Sequence, residues 1–167
     1  MTDSFDWPEV DAFVPGAVGP PGRRVFYVQL RRGDEVRTLR AEKQQVAALA
    51  QYLDALLADL PTAADPDAPD VPALVEPVQE SWAVGTIGLR YDEDDDCVVV
   101  EIDELVAEGE EGAEARVRAT RPQAEAFARQ SAALVQAGRP TCALCGHPVD
   151  PEGHVCPRAN GQSRPSS

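Results

Sequence analysis

Aromatic residues are scarce in this sequence of 167 residues. Phenylalanine, tyrosine and tryptophan make up 5%, so alanine, valine and leucine must supply most of any core. Basic residues are outnumbered, 15 lysines and arginines against 29 aspartates and glutamates, for a formal net charge of −14. Phosphate backbones and anionic lipid are bound through lysine and arginine, so no nucleic-acid partner and no membrane partner is expected. The acidic surface reads first as a source of solubility, with docking on a basic protein partner as the alternative. Long apolar runs are missing too, since the longest, such as Cys97 to Val100, fall far short of a bilayer span. Met1 to Asp6 has neither a basic n-region nor an apolar h-region, which makes the cytoplasm the expected location. No P-loop, dinucleotide glycine fingerprint or Gly-x-Ser-x-Gly elbow occurs. The two histidines, His147 and His154, both lie beside cysteines, so a catalytic histidine away from them is impossible.

A chain of this length fits one compact domain or two very small ones, and can bury roughly 70% of its unfolded surface. Strand signals run over Phe13 to Val18 and Val25 to Leu30, separated by a Gly-Pro-Pro-Gly turn at Gly19 to Gly22. After a second turn at Arg31 to Asp34, Val36 to Arg40 alternates as a third strand. From about Glu42 to Leu60 the period changes: Val46, Leu49, Leu53, Leu56, Leu57 and Leu60 stripe one helical face, and Pro61 stops it. Residues 61–79 carry proline, alanine and aspartate without an apolar period and read as a linker. Strand alternation returns at Trp82 to Tyr91, Val98 to Ile102 and Ala115 to Thr120. A helix follows from about Arg121 to Ala137. Thr120 and Gln123 have the capping-box spacing, Pro122 is tolerated in the first turn, and Gly138 sits where a helix ends.

The two halves resemble each other. Arg40, Ala41, Gln45, Ala48, Ala50, Ala55 and Leu56 align without a gap on Arg118, Ala119, Gln123, Ala126, Ala128, Ala133 and Leu134. Gly16-Ala-Val-Gly19 is similar to Gly85-Thr-Ile-Gly88. The expected class is α+β, with two β-β-β-α units arising by internal duplication (about 11–60 and 80–138). The strand links are too short for crossover helices, so the sheet is expected to be antiparallel. Residues 1–138 would form this body, 139–161 a zinc knuckle and 162–167 a disordered tail.

The knuckle rests on Cys142-Ala-Leu-Cys145-Gly, a turn that aims two thiolates at one centre, with Cys156 returning after an Asp-Pro-Glu-Gly turn. Zn2+ takes four soft or borderline ligands in a tetrahedron. His154 shares an extended-strand face with Cys156 and is the preferred fourth ligand. His147, two residues past Cys145, is the alternative, and water or another group a third choice. Redox use of the Cys-x-x-Cys pair would need the first thiolate at a helix N-terminus after a strand, and proline and glycine flank it here. The acidic run Asp92 to Asp96 lacks the glycine-punctuated spacing of a calcium loop and reads as a solvated hairpin tip, while Cys97 reads as a small hydrophobe.

These residues resemble a known family. Gly16-Ala-Val-Gly19, the segment Arg40-Ala-Glu-Lys-Gln-Gln45-Val46, and the tail with Cys145-Gly, Asp150-Pro-Glu-Gly and His154-Val-Cys156-Pro-Arg-Ala-Asn160-Gly161 are similar to an actinobacterial family known as domain of unknown function 3090. The resemblance implies a cytosolic protein without an established activity. It also implies genes placed near those of phosphatidylinositol-kinase-like and histidine-phosphatase-like proteins, and hence an accessory role beside phosphoryl-transfer enzymes. Ala143 stands where that family has proline, which leaves the ligands in place. The function expected is a zinc-binding interaction or adaptor module with one structural zinc and no catalytic residue. The rival is a metalloenzyme whose zinc keeps an open position and activates water.

Overall fold

A computed structural model of the chain describes residues 4–20, 22–60 and 71–137. Their elements are β1 (Phe5–Trp7), β2 (Ala12–Val18), β3 (Val25–Arg32), β4 (Glu35–Ala41), α1 (Lys43–Ala58), β5 (Glu80–Asp92), β6 (Cys97–Glu104), β7 (Glu114–Thr120) and α2 (Arg121–Ala137). The protein is mixed α+β, with all seven strands in one sheet of order β1-β7-β6-β5-β4-β3-β2. The order strand-strand-strand-helix occurs twice, over β2 to α1 and over β5 to α2.

Two features depart from the expected antiparallel sheet. Strands β4 and β5 pair in parallel, Leu39 opposite Trp82, and so do β1 and β7, Phe5 opposite Ala115. The first pairing is possible because α1 and the residues between it and β5 form a link long enough to carry the chain back to the starting end of the sheet. The second belongs to β1, which strand periodicity missed because three residues are too few to show alternation.

Consecutive strands β1 and β2 form the two opposite edges, and this requires the sheet to curl. Trp7 and Ala12 are five residue steps apart, a reach of about 16–18 Å at full extension. A flat seven-stranded sheet would put its edges about 29 Å apart. The contacts agree with a curled sheet. The Arg37 guanidinium of β4 lies 5.7 Å from the Phe5 ring of β1, although three strands stand between them in the sheet order. Helix α2 touches β2 as well as β6 and β7. Phe127 of α2 stacks on Phe13 of β2 with ring centroids 3.9 Å apart.

Alternation decides which side chains fill the concave face. Phe13, Phe26, Val28, Leu30, Leu39, Ala41, Trp82, Val98, Val100, Ile102, Ala115, Val117 and Ala119 are all buried in one cluster with the helices. Helix α1 contributes Val46, Leu49 and Leu53 from its predicted stripe, while Leu56 and Leu57 are only partly buried. Helix α2 buries Ala124, Ala126, Phe127, Ala128 and Ser131, and its small residues let it lie close to α1.

Both helices begin at a capping box. The Gln123 amide oxygen accepts the Thr120 N–H at 2.9 Å while Thr120 Oγ1 accepts the Gln123 N–H at 3.2 Å, as the spacing predicts. Glu42 and Gln45 do the same for α1, the Glu42 N–H reaching Gln45 Oε1 at 2.8 Å. Each glutamine also reaches into the other half. Gln45 Nε2 donates to the Val84 and Gly85 carbonyls, and Gln123 Nε2 donates to the Val10 carbonyl at 2.8 Å. The glycine likeness is not matched in register. Gly16 pairs opposite Tyr27 within β2, whereas Gly85 sits at the bulge between Val84 and Thr86.

Candidate functional site

The acidic hairpin between β5 and β6 is fastened to the start of α2. Asp92 accepts the backbone N–H groups of Asp94 and Asp95, and Arg118 Nη1 donates to Asp92 at 2.6 Å and Asp95 at 3.0 Å. Arg121 Nε donates to Asp96 at 2.8 Å, the Tyr91 hydroxyl donates to the same carboxylate, and the Arg121 guanidinium lies 5.5 Å over the Tyr91 ring. The Arg118 hydrogen bond is the main reason the Asp92 carboxyl lies below its ordinary range, and the Tyr91 hydroxyl, then Arg121, do the same for Asp96. Both guanidinium groups are pushed up in turn. Three of the five carboxylates are therefore spent on protein cations and amides, which argues against a calcium loop and against a tip that is merely solvated. The buried Cys97 thiol lies 3.7 Å from Arg118 Nη1.

The convex face of the sheet is treated differently in the two halves. In the first, Val14, Gln29 and Thr38 form a row across β2, β3 and β4. Its two polar members are buried, Gln29 at 0% and Thr38 at 1% exposure. Residues 71–79 lie over it as a strap. The Gln29 amide oxygen accepts the Val75 N–H at 2.8 Å, and its NH2 group donates to the Val75 carbonyl at 3.2 Å and to Thr38 Oγ1 at 3.1 Å. One side chain thus offers the strap the acceptor and donor that a neighbouring strand would. Leu74 packs where a side chain on Gly16 would stand, so only glycine leaves room for it. A cavity of about 460 Å³ opens beside this contact, lined by Gln29, Arg37, Val75 and Glu80 among others.

In the second half the corresponding row is Gly88, Glu101 and Arg116 across β5, β6 and β7. A side chain at Gly88 would meet nothing within 4 Å. Glu101 forms ion pairs with Arg116, Nε at 3.4 Å, and with Arg90, Nε at 3.8 Å. Beside this pair lies an open groove of about 650 Å³, lined by Ser4, Asp6, Asp103, Glu114 and the pair itself. Ser4 Oγ accepts the Glu114 N–H, and Thr86 Oγ1 donates to Asp103.

The metal ligands expected from the sequence, Cys142, Cys145, His154, Cys156 and the alternative His147, lie outside the described residues. So do residues 61–70 of the linker and the whole knuckle and tail. Among the described residues there is no group of three or more histidine, cysteine, aspartate or glutamate side chains able to hold a metal ion. No described helix is long and apolar enough to cross a membrane. Sequence reasoning missed Gln29, Glu101 and Arg116. The available signal was a polar residue between apolar neighbours, as Gln29 stands between Val28 and Leu30.

Fold and site together define a curved seven-stranded α+β protein whose convex face holds one strapped row and one open, charged row. The chain belongs to the family described as "Protein of unknown function (DUF3090)", whose model matches residues 4–156. No curated protein and no solved structure matched it.

Proposed function

We propose that this chain is a non-enzymatic interaction module of the cytoplasm, a duplicated α+β body bearing one structural zinc on Cys142, Cys145, Cys156 and His154. One observation carries this reading. The core of the described residues is assembled from Trp7 to Ala128, whereas both histidines and three of the four cysteines fall between residues 142 and 156. Three thiolates and two imidazoles thus stand within fifteen residues of sequence, a local set from which a metal ion can draw four ligands. Three thiolates and an imidazole saturate a tetrahedral zinc, which suits a structural ion and leaves no position for activated water. When bound, the ion would supply folding energy to a segment poor in apolar side chains. Support for duplication comes from Gln45 and Gln123, which each cap a helix and reach the backbone of the opposite half.

Elemental analysis of protein purified without chelator tests the proposal. About one zinc per chain is expected, since thiolate sites bind zinc tightly at neutral pH. His154→Ala should lower zinc retention more than His147→Ala. Absence of zinc, or stoichiometric iron, would overturn the assignment, and a larger loss from His147→Ala would reverse the choice of histidine. A water ligand on the zinc, seen by X-ray absorption, would favour the metalloenzyme. Hydrogen exchange before and after chelation should change mainly beyond residue 138.

A further inference from the structure

We propose that the groove beside Glu101 and Arg116 is a docking site for an extended, lysine- or arginine-rich peptide of a partner protein. It would be gripped as the strap is gripped by Gln29. The inference deepens the interaction-module reading and is independent of the zinc.

The two rows are equivalent by position. Thr38 stands five residues before the first residue of α1, Lys43, and Arg116 five before the first residue of α2, Arg121. Each pairs across the neighbouring antiparallel strand with a polar residue, Thr38 with Gln29 and Arg116 with Glu101. The third member comes from the next strand, Val14 in one row and Gly88 in the other. In the first row the occupant is visible: a piece of the chain itself, held through the N–H and C=O of a single residue, Val75. The second row offers the same two functions on separate side chains. The Glu101 carboxylate can accept a backbone N–H, and the Arg116 guanidinium can donate to a backbone carbonyl.

Charge then selects the occupant. The groove carries the carboxylates of Asp6, Glu101, Asp103 and Glu114 against the guanidinium groups of Arg116, on its wall, and of Arg90, paired with Glu101, and four minus two leaves two negative charges. Asp6, Asp103, Glu114 and Arg116 are exposed, so their fields reach solvent. A phosphate or an acidic segment would be repelled, whereas alternate lysine or arginine side chains on an extended peptide would meet the carboxylates. A volume of about 650 Å³ lies within the range of established ligand sites. The empty space above Gly88 keeps the floor of the row open to a backbone, in the manner that Gly16 opens the other half to Leu74.

The test uses the full-length protein and two fluorescently labelled nine-residue peptides, alternating lysine–valine and alternating glutamate–valine. Anisotropy titrations at about 0.15 M salt should show binding of the lysine peptide alone. Glu114→Lys should weaken it at least tenfold, while Asp54→Lys, an equal charge change on the exposed face of α1, should leave it within twofold. Amide resonance shifts should concentrate at Gly88, Glu101, Glu114 and Arg116. Failure of the lysine peptide to bind, equal binding of the glutamate peptide, an equal loss from Asp54→Lys, or shifts centred elsewhere would overturn the proposal. So would self-association that the lysine peptide does not displace, since the groove would then take a second copy of the chain. Repeating the titration after chelation separates the two readings: zinc content and peptide affinity can fail independently.

Discussion

Replacing Gln29 with methionine isolates the energy that holds the strap to the sheet. The two side chains have similar length, and position 29 is fully buried, so the change leaves little void and removes chiefly hydrogen bonds. Three are lost: the Val75 N–H, the Val75 carbonyl and Thr38 Oγ1. A net contribution of about 0.5–1.5 kcal/mol per bond gives about 2–4 kcal/mol if the strap stays in place. The strap can instead detach and rehydrate its own amide, which caps the cost at the free energy of local opening. A loss of about 2–3 kcal/mol in holding the strap corresponds to exchange of the Val75 amide about 30- to 150-fold faster. Native-state hydrogen exchange read by NMR measures this directly. Amides of Val98, Val100 and Val117, in the middle of the sheet, should keep their protection unless global stability falls. If Val75 exchanged at the wild-type rate in Gln29→Met, the strap would be held by Leu74 packing alone, and the backbone-like grip assigned to Gln29 would be wrong. Leu74→Ala supplies the complementary measurement.

Three further outcomes follow from the packing and charges. Phe127→Ala removes a fully buried ring stacked on Phe13 and should cost about 3–5 kcal/mol in chemical denaturation, with Phe127→Leu costing less. Gln45→Ala and Gln123→Ala should each cost about 1–3 kcal/mol, because each removes a cap and a tether to the opposite half; one silent variant would break the correspondence between the helices. The clasp should give acid sensitivity. Asp92 and Asp96 titrate below the ordinary 3.8 in the folded chain, so their contribution is complete above that value and is lost as pH falls through the folded-state pKa values. In urea unfolding between about pH 5 and pH 2, Arg118→Gln should flatten the wild-type loss, and an unchanged slope would refute the role of Arg118.

What the sequence determined by itself is local. A period of two placed six strands, a period near 3.6 placed α1, and the Thr120–Gln123 spacing with Gly138 placed the two ends of α2, because these patterns are properties of neighbouring residues. They also chose the buried face, since alternation leaves Val98, Val100 and Ile102 on one side of β6 and Val99 and Glu101 on the other. The order of strands, the two parallel pairings and the curl were decided by tertiary structure. A four-residue link from Trp7 to Ala12 does not reveal that it joins opposite edges of one sheet. The same holds for the polar rows. Gln29 and Val75 are 46 residues apart, and nothing in the local pattern says that an amide between Val28 and Leu30 will meet a backbone from beyond α1. Glu101 and Arg116 look from the sequence like ordinary charges on the outer side of two strands. Only the register that sets them opposite each other, and opposite Gly88, makes them the counterpart of a site the chain fills with itself. Periodicity decides which way a side chain faces; contacts distant in sequence decide what it faces.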